Sequence, residues 1–378
     1  MTAAAPKART LDILAQLIGF PTVSAESNLA LIDYAEDLLK TAGFETCRLG
    51  DPDLPKAGVM ARIGPKGPGG VMLSAHSDVV PVEGQDWACP PFEMTRAQGR
   101  VYGRGSTDMK GFLASILSLA ERAGEASLAQ PLMLAISYDE EVGCQGIRRM
   151  MPGIEALGWH PDLCIVGEPT SMHPAIGHKG KAAFRATCHG EAGHSALAPR
   201  FVNALHLAGD VLTALRALQD EYASSGTRDG SYDIPYSTVH AGKMMGGTAL
   251  NIVPDHAEIE FELRHLPIDQ PEIFETRLAG QIGATAGVEI TCTNTYPGLE
   301  VSPDAPEVVR VAALCGTKTP IKVAFGTEAG FFAALGIPTV VCGPGDMAGQ
   351  GHKADEYLEE AQLAACDGMM DRLLAELS

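Results

Sequence analysis

Gly70 to Asp78 reads GVMLSAHSD, six small or apolar residues that run directly into His76, Ser77 and Asp78. A short apolar run that ends in a polar cluster is the pattern of a buried strand emerging into a site. The pattern recurs. Leu132 to Tyr138 (LMLAISY) runs into Asp139-Glu140-Glu141, and Leu163 to Val166 (LCIV) runs into Gly167-Glu168. Thr339 to Cys342 (TVVC) leads into a glycine-rich loop and then His352. Helical stretches lie between, notably Asn28 to Gly43, Gly111 to Arg122 and Leu358 to Leu377. Strands alternating with helices predict an α/β domain whose mostly parallel sheet is flanked by helices. Sites in such sheets form at the carboxyl ends of the strands, where all four polar clusters fall.

The middle of the chain reads differently. A strand (Ala182 to His189) and a long helix (Asn203 to Tyr222) precede two strands, around Tyr236 to Met245 and His256 to Leu263. A helix over Pro271 to Ala286 and a strand at Val288 to Thr293 follow. One sheet with two helices on one face predicts an inserted α+β domain of ferredoxin-like type. The expected boundaries are 1–179 and 292–378 for the catalytic domain and 180–291 for the insertion.

The 378 residues carry 28 Lys+Arg against 47 Asp+Glu, a formal charge of −19. A nucleic-acid binder should instead be basic. No stretch approaches about 18 uninterrupted apolar residues, so no membrane span is expected. Met1 to Arg9 runs into a helical pattern and lacks the apolar core of a signal peptide. Nine scattered cysteines without a C-x-x-C pair read as reduced thiols, which points to the cytosol.

Each polar cluster has a bland alternative. His76 and Asp78, two apart in an extended segment, share a face, and Asp78 can orient His76 as a ligand; alone they read as a surface His beside a turn Asp. Asp108 precedes a helical run and by itself reads as an N-cap. Its two oxygens also suit a bridge between two cations about 3.5–4 Å apart. Glu140 and Glu141 are a solvated loop pair or, if the strand turns at Gly143, a general base and a ligand. Glu168 and His352 are unremarkable singly. Together, His76, Asp108, Glu141, Glu168 and His352 supply two imidazoles and three carboxylates at strand ends. No thiolate is needed, so the set suits a catalytic metal site with an open position. His194 lies in the insertion and by itself reads as a loop histidine.

Six motifs carry a resemblance: SAHSDVVPV (Ser74 to Val82), GRGSTDMKG (Gly103 to Gly111), SYDEEVG (Ser137 to Gly143), VGEPT (Val166 to Thr170), GHSA (Gly193 to Ala196) and GQGHKADE (Gly349 to Glu356). In order and type they resemble the dinuclear zinc amidohydrolases, the family that includes acetylornithine deacetylase, succinyl-diaminopimelate desuccinylase and carboxypeptidase G. The resemblance spans nearly the whole chain. It implies two zinc ions, for which cobalt could substitute, with His76 and Glu168 on one, Glu141 and His352 on the other, and Asp108 between them. It further implies Asp78 as orienter of His76, Glu140 as general base and a cis bond between Asp108 and Met109. His194 is implied to reach the site of a partner subunit and stabilise the oxyanion, hence a homodimer through the inserted domain. Ala354 stands where the family commonly has proline.

The stretches GGTALNIVPD (Gly246 to Asp255), FGTEAG (Phe325 to Gly330) and VVCGPG (Val340 to Gly345) look most like the branch that deacetylates acetylornithine. The expected substrate is therefore a small N-acyl amino acid. Arg264 is the candidate clamp for its α-carboxylate, although an arginine on an amphipathic strand can equally be a surface residue. Asn251, Lys179 and Thr327 are candidate polar contacts, and Glu328 is a candidate partner for a cationic amine.

Overall fold

A computed structural model describes residues 5–24, 26–283, 287–316 and 319–378. The N-terminal part runs α1 (Ala8–Ile18), α2 (Leu29–Thr41), β1 (Glu45–Gly50), β2 (Ala57–Ile63) and β3 (Val71–His76). There follow α3 (Gly111–Glu125), β4 (Leu132–Ser137), α4 (Gln145–Leu157) and β5 (Leu163–Pro169). The middle holds β6 (Gly180–His189), α5 (Ala204–Ser225), β7 (Thr238–Gly246), β8 (His256–His265), α6 (Pro271–Ile282) and β9 (Val288–Tyr296). The last part holds α7 (Pro306–Cys315), α8 (Ala329–Ala334), β10 (Thr339–Gly343) and α9 (Glu360–Leu377). Packing divides the chain into two units, the second comprising His178–Leu299 with Ala324–Gly326 and the first the remainder.

In the first unit the strands order β1-β2-β4-β3-β5-β10. β4, β3, β5 and β10 run parallel, whereas β1 and β2 are antiparallel additions at one edge. The sheet is thus parallel where the site forms and antiparallel at its margin. Every residue of β3, β4, β5 and β10 is buried, as expected of parallel strands covered on both faces. Register sets the site. β3 and β4 pair from Val71 opposite Leu132 to His76 opposite Ser137, so their polar extensions leave the sheet side by side.

Two of the boundaries that differ from the sequence reading have a clear cause. Tyr357–Glu359 forms a short strand against Arg100–Tyr102, and the last helix begins only at Glu360. The apolar spacing of Leu358 suits a helix, but the neighbouring strand takes up its backbone. α6 stops at Ile282, ahead of Gly283 at φ 69°, and the expected end of that helix at 284–286 lies outside the described residues.

The second unit is an antiparallel sheet ordered β7-β8-β6-β9. The sequence β-α-β-β-α-β with that order is the ferredoxin-like arrangement. Alternate residues of β6 and β8, including Phe184, Ala186, Ile259 and Phe261, pack with Val211, Leu215 and Phe274 from α5 and α6. Asn203 starts α5 by accepting the Leu205 amide on Oδ1 at 2.9 Å.

His178 is fully buried at the start of this unit, its Nδ1–H donating to the Lys179 carbonyl at 3.0 Å. Burial depresses its pKa to about 4, with a smaller opposing effect from that hydrogen bond. The unfolded chain therefore binds the extra proton between pH 6.5 and 4, and stability is lost as pH falls through that window. Relative to a His178→Gln variant, the wild type is expected to lose about 2 kcal/mol between pH 6.5 and 5. Thermal unfolding of both proteins across that range checks it; parallel curves would contradict it.

Candidate metal centre

His76 closes β3, and the chain behind it fixes its ring. The Nδ1–H donates to the Asp78 carbonyl at 3.0 Å, with the Asp78 carboxylate at 3.5 Å. The nearer orienting atom is thus the main-chain oxygen. Nε2 is left facing Asp108 Oδ1 at 3.2 Å and Glu168 Oε1 at 3.8 Å. The Asp78 carboxylate accepts from Ser24 Oγ at 2.7 Å and from the amides of Glu140 and Glu141 at 3.1 and 3.2 Å. It therefore pins the backbone just beyond β4, where Asp139 adopts φ 53° and its side chain meets the buried Lys56 ammonium at 2.5 Å. This is the turn that two adjacent carboxylates at one strand end required.

Asp108 lies in a tight turn, Ser106–Lys110, with a cis bond to Met109. The N-cap alternative does not hold. α3 begins at Gly111, and both Asp108 oxygens are directed at imidazoles, Oδ1 at His76 and Oδ2 at His352 Nε2, 3.4 Å away. His352 Nε2 also lies 2.9 Å from Glu141 Oε2. Glu168 reaches the cluster from the end of β5 because β10 passes close by. A Cβ at Gly343 would stand 2.0 Å from the Gly167 carbonyl, so only glycine permits that approach.

Among the described residues, two triads can each converge on one cation: His76, Asp108 and Glu168, and Asp108, Glu141 and His352. Within each triad the ligand atoms all lie within 4.8 Å of one another. Asp108 belongs to both.

The electrostatics fit a cation. Burial, followed by the Asp108 charge, pushes Glu141 up to about 7. Burial also drives Glu140 and Glu168 well above the usual carboxylate range, with neighbouring carboxylates adding to the effect. Asp108 is held low despite its burial, because His352 and His76 both hydrogen-bond to it. Those contacts with Asp108 and Glu141 raise His352 to about 10. Bound cations would favour the ionised form of these carboxyl groups. Glu141 Oε1 and Glu168 Oε1 are buried without a hydrogen-bond partner, as ligand oxygens awaiting a cation would be. Two imidazoles and three carboxylates suit zinc and related divalent metals.

The other candidate residues belong to neither triad. Thr327 is buried in the first unit, its Oγ1 accepting the Ala329 amide at 3.0 Å. Glu328 is only 1% exposed, near Ser137, His76 and Asp78, and burial raises its pKa to about 7. Lys179, His194, Asn251 and Arg264 belong to the second unit. Lys179 donates to the Ile234 and Tyr236 carbonyls at 2.9 and 2.5 Å. Arg264 meets Glu262 at 2.9 Å and the Tyr296 hydroxyl at 2.6 Å. His194 is exposed, accepts the Ala196 amide on Nδ1 at 3.1 Å and pairs in a short ribbon with Ile252, next to Asn251. Sequence reasoning passed over Arg104, Gln85 and Glu356. Glu356 ends the GQGHKADE motif, and a charged residue in a loop gave no reason to expect it buried.

Two triads sharing one carboxylate at the ends of parallel strands, with Glu140 alongside, define a metal-dependent hydrolase. The chain belongs to peptidase family M20/M25/M40, whose model matches residues 72–376. It is 32% identical over 364 residues to the acetylornithine deacetylase of Aliivibrio fischeri, covering 92% of this chain and 93% of that protein. Its fold is similar to an M20 family metallo-carboxypeptidase of Sulfolobus solfataricus, with TM-score 0.79 at 19% identity over 97% and 99% of the chains. It is also similar to a dinuclear metal binding peptidase of the M20 family from Bacillus subtilis, with TM-score 0.65 at 17% identity over 98% of each chain.

Proposed function

We propose that the protein removes the acetyl group of N2-acetyl-L-ornithine, releasing L-ornithine and acetate, a step of arginine biosynthesis. The observation that carries the reaction is the carboxylate shared by two triads beside an unligated Glu140. The acetylornithine deacetylase relative supports the substrate. His76 and Glu168 would hold one zinc, Glu141 and His352 the other, and Asp108 both; cobalt suits the same donors. Bound there, the ions would acidify a water and polarise the acyl carbonyl.

Glu140 takes a proton from the attacking water and delivers it to the amine nitrogen as the C–N bond breaks. The water oxygen stays with the acyl carbon as acetate. Asp78 keeps His76 in one ring orientation throughout. His194, reaching in from the inserted domain of a partner copy, donates to the developing oxyanion. Arg264 clamps the α-carboxylate, and Asn251, Lys179 and Thr327 supply further polar contacts. Exposed apolar residues of the second unit, among them Met244, Met245, Leu250 and Ile252, support a homodimer through that domain. Among the described residues no helix is long and apolar enough to cross a membrane. The cysteines are free thiols, which supports a cytosolic enzyme.

Glu328 Oε1 is buried without a hydrogen-bond partner, which supports a role for this group toward the cationic amine of ornithine. Glu328→Gln is expected to raise KM for acetylornithine several-fold more than for a neutral N-acetyl amino acid. Equal effects on both would leave Glu328 a structural role alone. The function itself is tested by ornithine release from acetylornithine beside acetylcitrulline, succinyl-diaminopimelate and a dipeptide.

A further inference from the structure

We infer that Glu356 is a positioning residue for the metal centre, tying the loop of His352 to the turn of Asp108 and so fixing one triad against the other. The inference rests on the reading of that cluster as a two-metal site. Glu356 is buried, and its carboxylate accepts four hydrogen bonds. Oε1 takes the amides of Thr107 at 2.8 Å and Asp108 at 3.1 Å. Oε2 takes the Gly105 amide and Arg104 Nη1, both at 2.8 Å. Three of the four donors are main-chain amides of Gly105, Thr107 and Asp108, in and just before the turn that carries Asp108. A carboxylate whose acceptor sites are filled this way can neither rotate nor shift without leaving buried donors unpaired.

The same group is joined to the other triad. Arg104, also buried, reaches the Lys353 carbonyl at 3.3 Å and Gln85 Oε1 at 2.5 Å. Gln85 Nε2 in turn donates to the His352 carbonyl at 2.9 Å. A closed circuit therefore runs from His352 through Gln85, Arg104 and Glu356 to the backbone of Asp108. None of the three side chains contributes an atom to either triad. Both ends of the circuit are residues that would bind metal, and Asp108 is the one shared by both sites. A glutamine at 356 would keep one acceptor oxygen but set an amide N–H₂ against donors, freeing the Asp108 turn. Groups that orient metal ligands in this way typically govern metal affinity or activity by about 10–100-fold.

The test compares Glu356→Gln with Asp367→Asn. Asp367 is another buried carboxylate, accepting from the Lys7 amide and Thr10 Oγ1 at 2.8 Å and Ser115 Oγ at 3.2 Å, with no partner in the triads' loops. Zn²⁺ affinity and stoichiometry by calorimetry, Tm, kcat and KM would be measured on each full-length protein. Both variants are expected to lose Tm. Only Glu356→Gln is expected to weaken Zn²⁺ binding by about 10–100-fold and to lower kcat with KM nearly unchanged. Gln85→Ala, at the partly exposed end of the circuit, tests the same link without threatening the fold, and should weaken Zn²⁺ binding in the same direction. If Glu356→Gln and Gln85→Ala bind Zn²⁺ as the wild type does, the circuit is purely structural and the inference falls. If the wild type itself takes up no Zn²⁺, the two-metal reading fails first and the inference goes with it.

Discussion

Replacing Glu140 by glutamine is expected to lower kcat by about 10²–10⁴-fold, with Zn²⁺ binding and KM close to wild type. The expectation follows from where Glu140 stands. Its amide is pinned by Asp78 and its Oε1 accepts the Cys144 thiol at 3.3 Å, yet it belongs to neither triad. Its neighbour Glu141 supplies the ligand oxygen, 2.9 Å from His352. Burial, reinforced by the charges of Glu141, Asp108 and Glu328, raises the Glu140 carboxyl well above the ordinary range. A carboxyl group that no triad claims, standing next to the ligand Glu141, is free to take a proton from water and hand it to the amine. Glutamine keeps the shape and removes the proton exchange. Kinetics of the variant beside its metal content measure the effect. A variant that keeps wild-type kcat, or one that loses metal, would remove Glu140 from the role of base.

Removing the shared carboxylate should do more. Asp108→Asn is expected to lower activity by about 10³-fold or more, several kcal/mol of transition-state stabilisation. It should also take Zn²⁺ stoichiometry below two per chain. Both Asp108 oxygens are committed, one toward each imidazole, and the amide of asparagine can offer an oxygen to only one side. A readout independent of turnover is available in stability. Ligand binding to the folded state alone stabilises it by about 4 kcal/mol at a thousand times Kd. Zn²⁺ should therefore raise the Tm of the wild type by several degrees and that of Asp108→Asn by much less. Equal Zn²⁺-dependent shifts in the two proteins would show that Asp108 does not join the two sites.

What the sequence could and could not reveal divides along physical lines. The strands that carry His76, Glu140 and Glu168 were visible because parallel strands buried on both faces must be unbroken apolar runs, and each run stops where the polar residues begin. The fold class follows from those runs alternating with helices. Asp108 was ambiguous because an aspartate ahead of a helix serves equally as a cap. Only the turn to Gly111 and the two imidazoles on its oxygens decide otherwise. The antiparallel edge of β1 and β2 left no mark, since a short strand reads the same in either direction. Tyr357–Glu359 was too short to show as a strand at all. Glu356, Arg104 and Gln85 were hidden for a different reason. Their roles depend on contacts that cross most of the chain, as when Glu356 meets Gly105, 251 positions earlier. The motif marks Glu328 as a candidate partner for a cationic amine, but not its burial, which is a property of packing.

The most direct test of the account is ornithine release from N-acetyl-L-ornithine by the Zn²⁺-loaded protein, run beside the same protein stripped by chelator and beside acetylcitrulline and succinyl-diaminopimelate. The account predicts fast release from acetylornithine, abolished by the chelator, restored by Zn²⁺, and weak for the other two. Release that survives removal of metal, or no turnover of any of these substrates, would contradict it.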